Sequence, residues 1–222
     1  MGHRGSLATH RENSIVAFQH AIASGADAVE LDVVLTTDGE LVVSHDPVNC
    51  AARDLPPYVS RLEEVLALGD GNNVAFDIEA KEFGPLTPAP GEFARRIFEC
   101  VDRAGLADRV ALRCFNHDVL RAAYELRPDI PRVALTARRA SDWAGMAGRA
   151  HARCVSPHFR LVSAREVAKT QQAGIVVMPW TVNRPRAWER LIVAGVEWII
   201  TDDPAALVQY LRKRGGVIEE EA

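Results

Sequence analysis

The chain is expected to fold as a (β/α)8 (TIM) barrel of the α/β class, and three observations carry that expectation. β-Branched runs alternate with helix-like segments along all 222 residues, the pattern of βα units around a parallel sheet. No low-complexity linker or internal repeat divides them, so a single domain over residues 1–222 is expected. The length suits a small barrel, and 48% hydrophobic residues are enough to fill its core. An open doubly wound sheet is the alternative use of the same alternation.

In order, the strands are a stub around His3, then 28–33 (AVELDV), 74–81 (VAFDIEAK), 109–115, 132–136, 153–157, 176–182 and 197–202. Helices are expected over 12–25, 61–70, 92–105, 118–128, 141–150, 164–174, 185–195 and 204–216. Several of them stop at a glycine, as at Gly25, Gly105, Gly174 and Gly195, and others start after Asn, Ser or Asp. One segment breaks the alternation. VLTTDGELVVSHD is too short for a helical crossover, and its Asp38-Gly39 pair signals a β-hairpin after the second strand. A two-residue turn pairs Thr37 with Glu40 and sets Asp32 opposite His45, so Glu30, Asp32 and His45 are expected to project together.

A net charge of −4 argues against a nucleic-acid partner, which requires a basic face. No apolar run approaches the roughly 20 residues of a membrane span, and the start does not resemble a secretory signal. The cysteines, Cys50, Cys100, Cys114 and Cys154, have no CxxC spacing and read as reduced thiols of a cytoplasmic protein. Lysine is rare: only Lys81, Lys169 and Lys213 occur. The one in VAFDIEAK is therefore not routine surface filler.

Glu30 and Asp32 lie two apart on a strand expected to be buried, where unpaired carboxylates are costly. Two on one face repel unless a cation or a proton lies between them. Such oxygen-rich sites suit Mg²⁺, Ca²⁺ or Mn²⁺. The next barrel strand repeats the theme with Asp77, Glu79 and Lys81. Either pair alone favours a buried ion-pair network that holds no ligand; two adjacent strands with a histidine beside them favour a functional site.

Taken together, HRG, ENS-IVAF, GADAVELDV, LTTDG, LVVSHDP, IEAK, WTVN and GVEWIITDDP resemble the glycerophosphodiester phosphodiesterase family over nearly the whole chain. The resemblance implies a barrel enzyme that hydrolyses glycerophosphodiesters, small-molecule substrates, to glycerol phosphate and an alcohol with a divalent metal ion as cofactor. It further implies His3 and His45 as the acid–base pair, and Glu30, Asp32 and Glu79 as metal ligands. Arg4 and Lys81 match phosphate contacts, Glu12 a glutamate supporting the first loop, and Trp180 an aromatic lining the glycerol pocket. Lysophospholipase D action on lipid headgroups is the alternative activity, and a non-catalytic phosphate-binding barrel a more distant one.

Three features depart from the family pattern. The insertion after HDP is reduced to residues 47–60, so the mouth of the site is expected to be uncapped. Cys114-Phe115 replaces the usual Ser-Phe. Only Met1-Gly2 precedes HRG, which predicts a weakened barrel seam at the first strand.

Overall fold

A computed structural model describes residues 1–84, 87–139 and 142–220. Parallel pairing runs from β1 (Gly2–His3) to β2 (Ala28–Leu35), then to β4 (Ala75–Ala80), β5 (Val110–Cys114), β6 (Arg132–Thr136), β7 (Cys154–Pro157) and β8 (Val176–Val177), with β3 (Leu41–Val43) antiparallel on β2. Helices α1 (Ile15–Ala23), α2 (Leu62–Leu66), α3 (Pro90–Ala104), α4 (His117–Leu126), α5 (Trp143–Arg149), α6 (Ala164–Gln172), α7 (Pro185–Val193) and α8 (Pro204–Glu220) fill the gaps between the strands. The expected order holds except at the eighth strand, 197–202, which does not form a regular strand; Ser141, at the start of the expected fifth helix, lies outside the described residues.

Past β8 the sheet continues by isolated contacts rather than a ladder. Pro179 has no amide N–H to offer, yet its carbonyl accepts from Ile200 N at 3.1 Å, and Val182 N donates to Ile200 O at 2.8 Å. Residues 199–201 thus occupy the expected eighth stave without forming a regular strand. They also close the seam. Thr201 N donates to Met1 O at 3.1 Å, His3 N donates to Thr201 O at 2.8 Å, and Gly2 bridges Thr201 on one side while pairing with Val29 on the other. Three residues therefore satisfy both neighbouring backbones, and the expected weak seam is short but bonded on both sides.

Period-two alternation sorts each strand between two buried faces. Val29, Leu31 and Val33 of β2, with Phe76 and Ile78 of β4, face outward into the helix layer and share its core with Phe18, Leu62, Phe93 and Ile97. Ala28, Ala75, Ala111, Val133, Met178 and Ile200 fill the floor inside the barrel. Further along the same inward faces come Glu30, Asp32, Asp77, Glu79 and Arg113, all buried. A barrel interior that turns from apolar to charged toward its C-terminal strand ends is what places a site there.

The hairpin register differs from the expected one by a single residue. Val33 pairs with Val43 and Leu35 with Leu41, so Ser44, not His45, lies opposite Asp32 and donates to Asp32 O at 3.0 Å. The cause is a three-residue loop, Thr37-Asp38-Gly39. Only Gly39 has positive φ (87°), and the Thr36 hydroxyl donates to Asp38 Oδ1 at 2.6 Å while accepting from Glu40 N at 2.9 Å. A two-residue type I′ turn requires positive φ at both central residues.

Candidate active site

Sequence neighbours build the first wall. His3 and Arg4 follow the short β1, and Arg4 adopts φ 51°, which turns its backbone N–H onto Glu30 Oε2 at 3.0 Å. The His3 ring is held from behind: its Nδ1 lies 2.6 Å from Asp202 Oδ1, leaving Nε2 on the cavity side, 4.0 Å from Glu30 Oε2. Asp202 is itself fixed by Asn183, whose Nδ2 donates to Asp202 Oδ2 at 2.5 Å and whose Oδ1 accepts from Asp202 N at 2.9 Å. Burial raises the Asp202 carboxyl, but the hydrogen bond and charge of His3 outweigh it, and the group is held below the usual carboxylate range.

Glu30, Asp32 and Glu79 converge, with one oxygen from each within 4.8 Å of the others, and all three are buried. β2 and β4 run in register, with Asp32 beside Glu79, so the convergence follows directly from inward alternation on adjacent strands. Burial, then repulsion from Asp32, pushes the Glu30 carboxyl well above its ordinary range despite the pull of Arg113. Two cations approach this cluster from its open side. Lys81 Nζ lies 3.4 Å from Glu79 Oε1 and 3.7 Å from Asp32 Oδ1, and Arg4 Nε lies 3.0 Å from Asp32 Oδ2. Glu12 Oε2 accepts from Arg4 Nη1 at 2.6 Å. Asn13, buried and at φ 56°, clasps Asp32 twice: Nδ2 donates to Oδ2 at 2.9 Å, and Oδ1 accepts from Asp32 N at 3.2 Å.

His45 lies two residues past β3, where strand alternation no longer directs it. Its ring nonetheless lines the same cavity of about 170 Å³ as His3, Arg4, Glu30, Glu79, Lys81 and Trp180. The His45 Nδ1 lies 3.1 Å from Asp46 Oδ1, and the ring is half-buried. All the expected site residues therefore meet around one cavity and the cluster beneath it. Asp77 does not join them; it is paired at 2.9 Å with Arg113, whose side chain lines the same cavity, and burial pushes the Asp77 carboxyl up to about 6.

The opposite wall is apolar. Trp180 donates its indole N–H to Ser156 O at 2.8 Å and meets Phe115 edge-on, with centroids 5.7 Å apart; Leu135 completes the wall. Phe115 is 47% exposed, so this wall runs out to solvent. No residue from 46 to 60 lines the cavity. Instead Val48 packs with Val34 and Val42 against the hairpin, and Thr37 N donates to Cys50 O at 3.0 Å. This packing holds the segment against the hairpin rather than in the cavity wall. His117 and His158 stand aside: His117 Nε2 contacts Leu135 O at 3.1 Å, and His158 stacks edge-on to Trp180.

Chemically, the site offers hard oxygen donors for a divalent cation, two imidazoles for proton transfer and two cations for an anionic substrate. Burial pushes the Cys114 and Cys154 thiols up to about 12, so neither supplies a thiolate nucleophile at neutral pH. Asp202, Asn13 and Arg113 are absent from the residues singled out by sequence. Asp202 and Asn13 lie within the TDDP and ENS-IVAF motifs; Arg113 has no local signal.

The model of the glycerophosphoryl diester phosphodiesterase family matches residues 3–55 and 47–206. A glycerophosphodiester phosphodiesterase of Caldanaerobacter subterraneus subsp. tengcongensis is 31% identical over 97% of this chain and 98% of its own length. Among solved structures, a putative glycerophosphoryl diester phosphodiesterase from Silicibacter pomeroyi superposes with a TM-score of 0.89 at 23% identity, covering 96% of this chain and 93% of that one. An Oleispira antarctica phosphodiesterase, solved in complex with the product sn-glycerol-3-phosphate, gives 0.88 at 20% identity over 95% of each chain.

Proposed function

Because the chain belongs to the glycerophosphoryl diester phosphodiesterase family, a family of phosphoric diester hydrolases, we propose that it hydrolyses glycerophosphodiesters to glycerol phosphate and an alcohol. The observation that carries the proposal is the convergence of His3, His45 and the Glu30–Asp32–Glu79 cluster on one cavity. A divalent cation of the Mg²⁺, Ca²⁺ or Mn²⁺ class fits three buried carboxylates, and when bound it supplies positive charge toward the phosphoryl oxygens.

The chain's own residues do the remainder. Lys81 and Arg4 pair with the carboxylates and stand at the cavity, where, with a cation held by Glu30, Asp32 and Glu79, both would face the anionic diester. His3 and His45 share two proton transfers: one imidazole takes the proton of the attacking hydroxyl, and the other gives one to the departing alkoxide. The hydrogen bond to Asp202 directs the proton of His3 to Nδ1, so Nε2 presents its lone pair to the cavity. Trp180, Leu135 and Phe115 provide a face for carbon. The continuity of that face to solvent favours one second reading, the acceptance of a lysophospholipid whose chain leaves past Phe115. Free thiols and a chain in which no helix among the described residues is long and apolar enough to cross a membrane suit a cytoplasmic enzyme.

The test is ³¹P NMR of glycerophosphocholine incubated with the protein and Mg²⁺ or Ca²⁺. Conversion of the diester resonance to glycerol phosphate supports the proposal. An unchanged diester, with the cavity variant His45→Ala behaving no differently from the parent, counts against it.

A further inference from the structure

Two adjacent strands place four carboxylates inside the barrel: Glu30 and Asp32 on β2, Asp77 and Glu79 on β4. A cation stands on β5, where Arg113 is the register neighbour of Glu79. Among the described residues, three side-chain cations near these carboxylates differ in freedom. Arg4 and Lys81 approach from the open side, and both retain some solvent contact. Arg113 is 2% exposed and tied at both ends of its guanidinium. Its Nη1 donates to Asp77 Oδ2 at 2.9 Å and its Nη2 to Ser156 Oγ at 2.7 Å; the Ser156 hydroxyl in turn donates to Met178 O at 2.5 Å. Asp77 Oδ1 and Arg113 Nε have no partner, so the pair is not fully compensated from within. A cation entering the cluster can displace Lys81 or Arg4 toward the cavity. It cannot displace Arg113.

We propose that Arg113 is a fixed internal counter-ion, which holds the carboxylate cluster together when no metal is bound and limits the affinity of that cluster for a divalent cation. The inference rests on the reading of Glu30, Asp32 and Glu79 as metal ligands. Its physical content is a sign rule. Two buried positive charges repel, and at an effective dielectric of about 20 a unit charge several ångströms from a divalent ion changes its binding by roughly tenfold or more. Removing the Arg113 charge therefore tightens metal binding and destabilises the metal-free barrel, because four buried carboxylates lose a buried, fixed side-chain cation. Removing the Asp77 charge does the reverse to binding, since Arg113 then acts on the cluster unneutralised.

Isothermal titration of Mg²⁺ and of Ca²⁺ into the chelator-stripped full chain, together with thermal unfolding with and without the cation, tests this. The proteins compared are the parent, Arg113→Met, Asp77→Asn and the double variant. The expected results are a Kd roughly tenfold lower for Arg113→Met and roughly tenfold higher for Asp77→Asn, with the double variant within about threefold of the parent. Arg113→Met also shows a lower metal-free Tm and a larger rise in Tm on adding cation. If Arg113→Met does not fold without metal, Asp77→Asn decides alone. Unchanged or weaker metal binding by folded Arg113→Met, or parental binding by Asp77→Asn, overturns the inference while leaving the metal site intact. A parent that binds neither cation at millimolar concentration removes the metal reading and overturns the inference with it.

Discussion

Replacing Asp202 by Asn removes the charge behind His3 while preserving size and an acceptor oxygen. In the structure the pair is close, 2.6 Å from Nδ1 to Oδ1, and Asn183 prevents the carboxylate from turning away. Hydrogen bonds to charged groups contribute about 1.5–3 kcal/mol, and the pair is only partly buried, so the lower half of that range is the better guide. At 1.36 kcal/mol per decade, the expected loss in kcat is about 10- to 50-fold. KM should hardly change, because Asp202 does not line the cavity. The assay is steady-state release of glycerol phosphate from glycerophosphocholine, paired with ¹⁵N NMR of the imidazole nitrogens. The parent should carry the His3 proton on Nδ1, and Asp202→Asn should lose that preference. A kcat within about threefold of the parent, with the tautomer altered, would refute the claim that His3 depends on its carboxylate.

Further outcomes follow from the same geometry. His3→Ala and His45→Ala should each lower kcat by about 10²–10⁴ with the fold intact, whereas His20→Ala, whose ring contacts Ser6 and His10 outside the cavity, should do almost nothing; equal losses at His20 and His45 would undo the assignment. Asp77 has a folded-state value raised from 3.8 to about 6, so its contribution is fully present below about pH 4 and lost as pH rises through about 6, a change on the order of 3 kcal/mol. Burial also lowers the Met1 amine to about 6, which acts in the opposite direction. The chelated parent should therefore be compared with Asp77→Asn by denaturant unfolding at pH 4.5 and 7.5. The parent should lose stability relative to the variant at the higher pH, and a constant difference would contradict the sign. With no wall from residues 46–60, kcat/KM should vary by less than about a hundredfold among choline, ethanolamine, glycerol and inositol diesters; a larger preference would mean that other loops select the headgroup.

Much of this site was legible because a β-strand enforces alternation. Glu30 and Asp32 on AVELDV, and Glu79 on the adjacent strand, had to share the barrel interior once both strands were read as parallel neighbours. His45 was harder. The turn count that set it opposite Asp32 assumed a two-residue loop, whereas Thr36 and Asp38 stabilise a three-residue one; the histidine reaches the cavity from a bend beyond the strand. Asp202 and His3 are separated by 199 positions, and only barrel closure brings them together. Arg113 looks like any arginine in RVALRCF until the strand register sets it beside Glu79. Pro179 offers no amide N–H to the ladder past β8, and 176–182 and 197–202, which read as full strands, fold there as bridged, irregular backbone.

The central claim is that Glu30, Asp32 and Glu79 hold a divalent cation required for phosphodiester hydrolysis. Glycerol phosphate release from glycerophosphocholine, measured on chelator-stripped protein titrated with Mg²⁺, Ca²⁺ and Mn²⁺, tests it most directly. Turnover should be absent without metal, rise saturably with at least one of the three, and stay absent in Glu79→Gln at the same metal concentrations. Full turnover in excess chelator, or undiminished turnover in Glu79→Gln, would contradict the account.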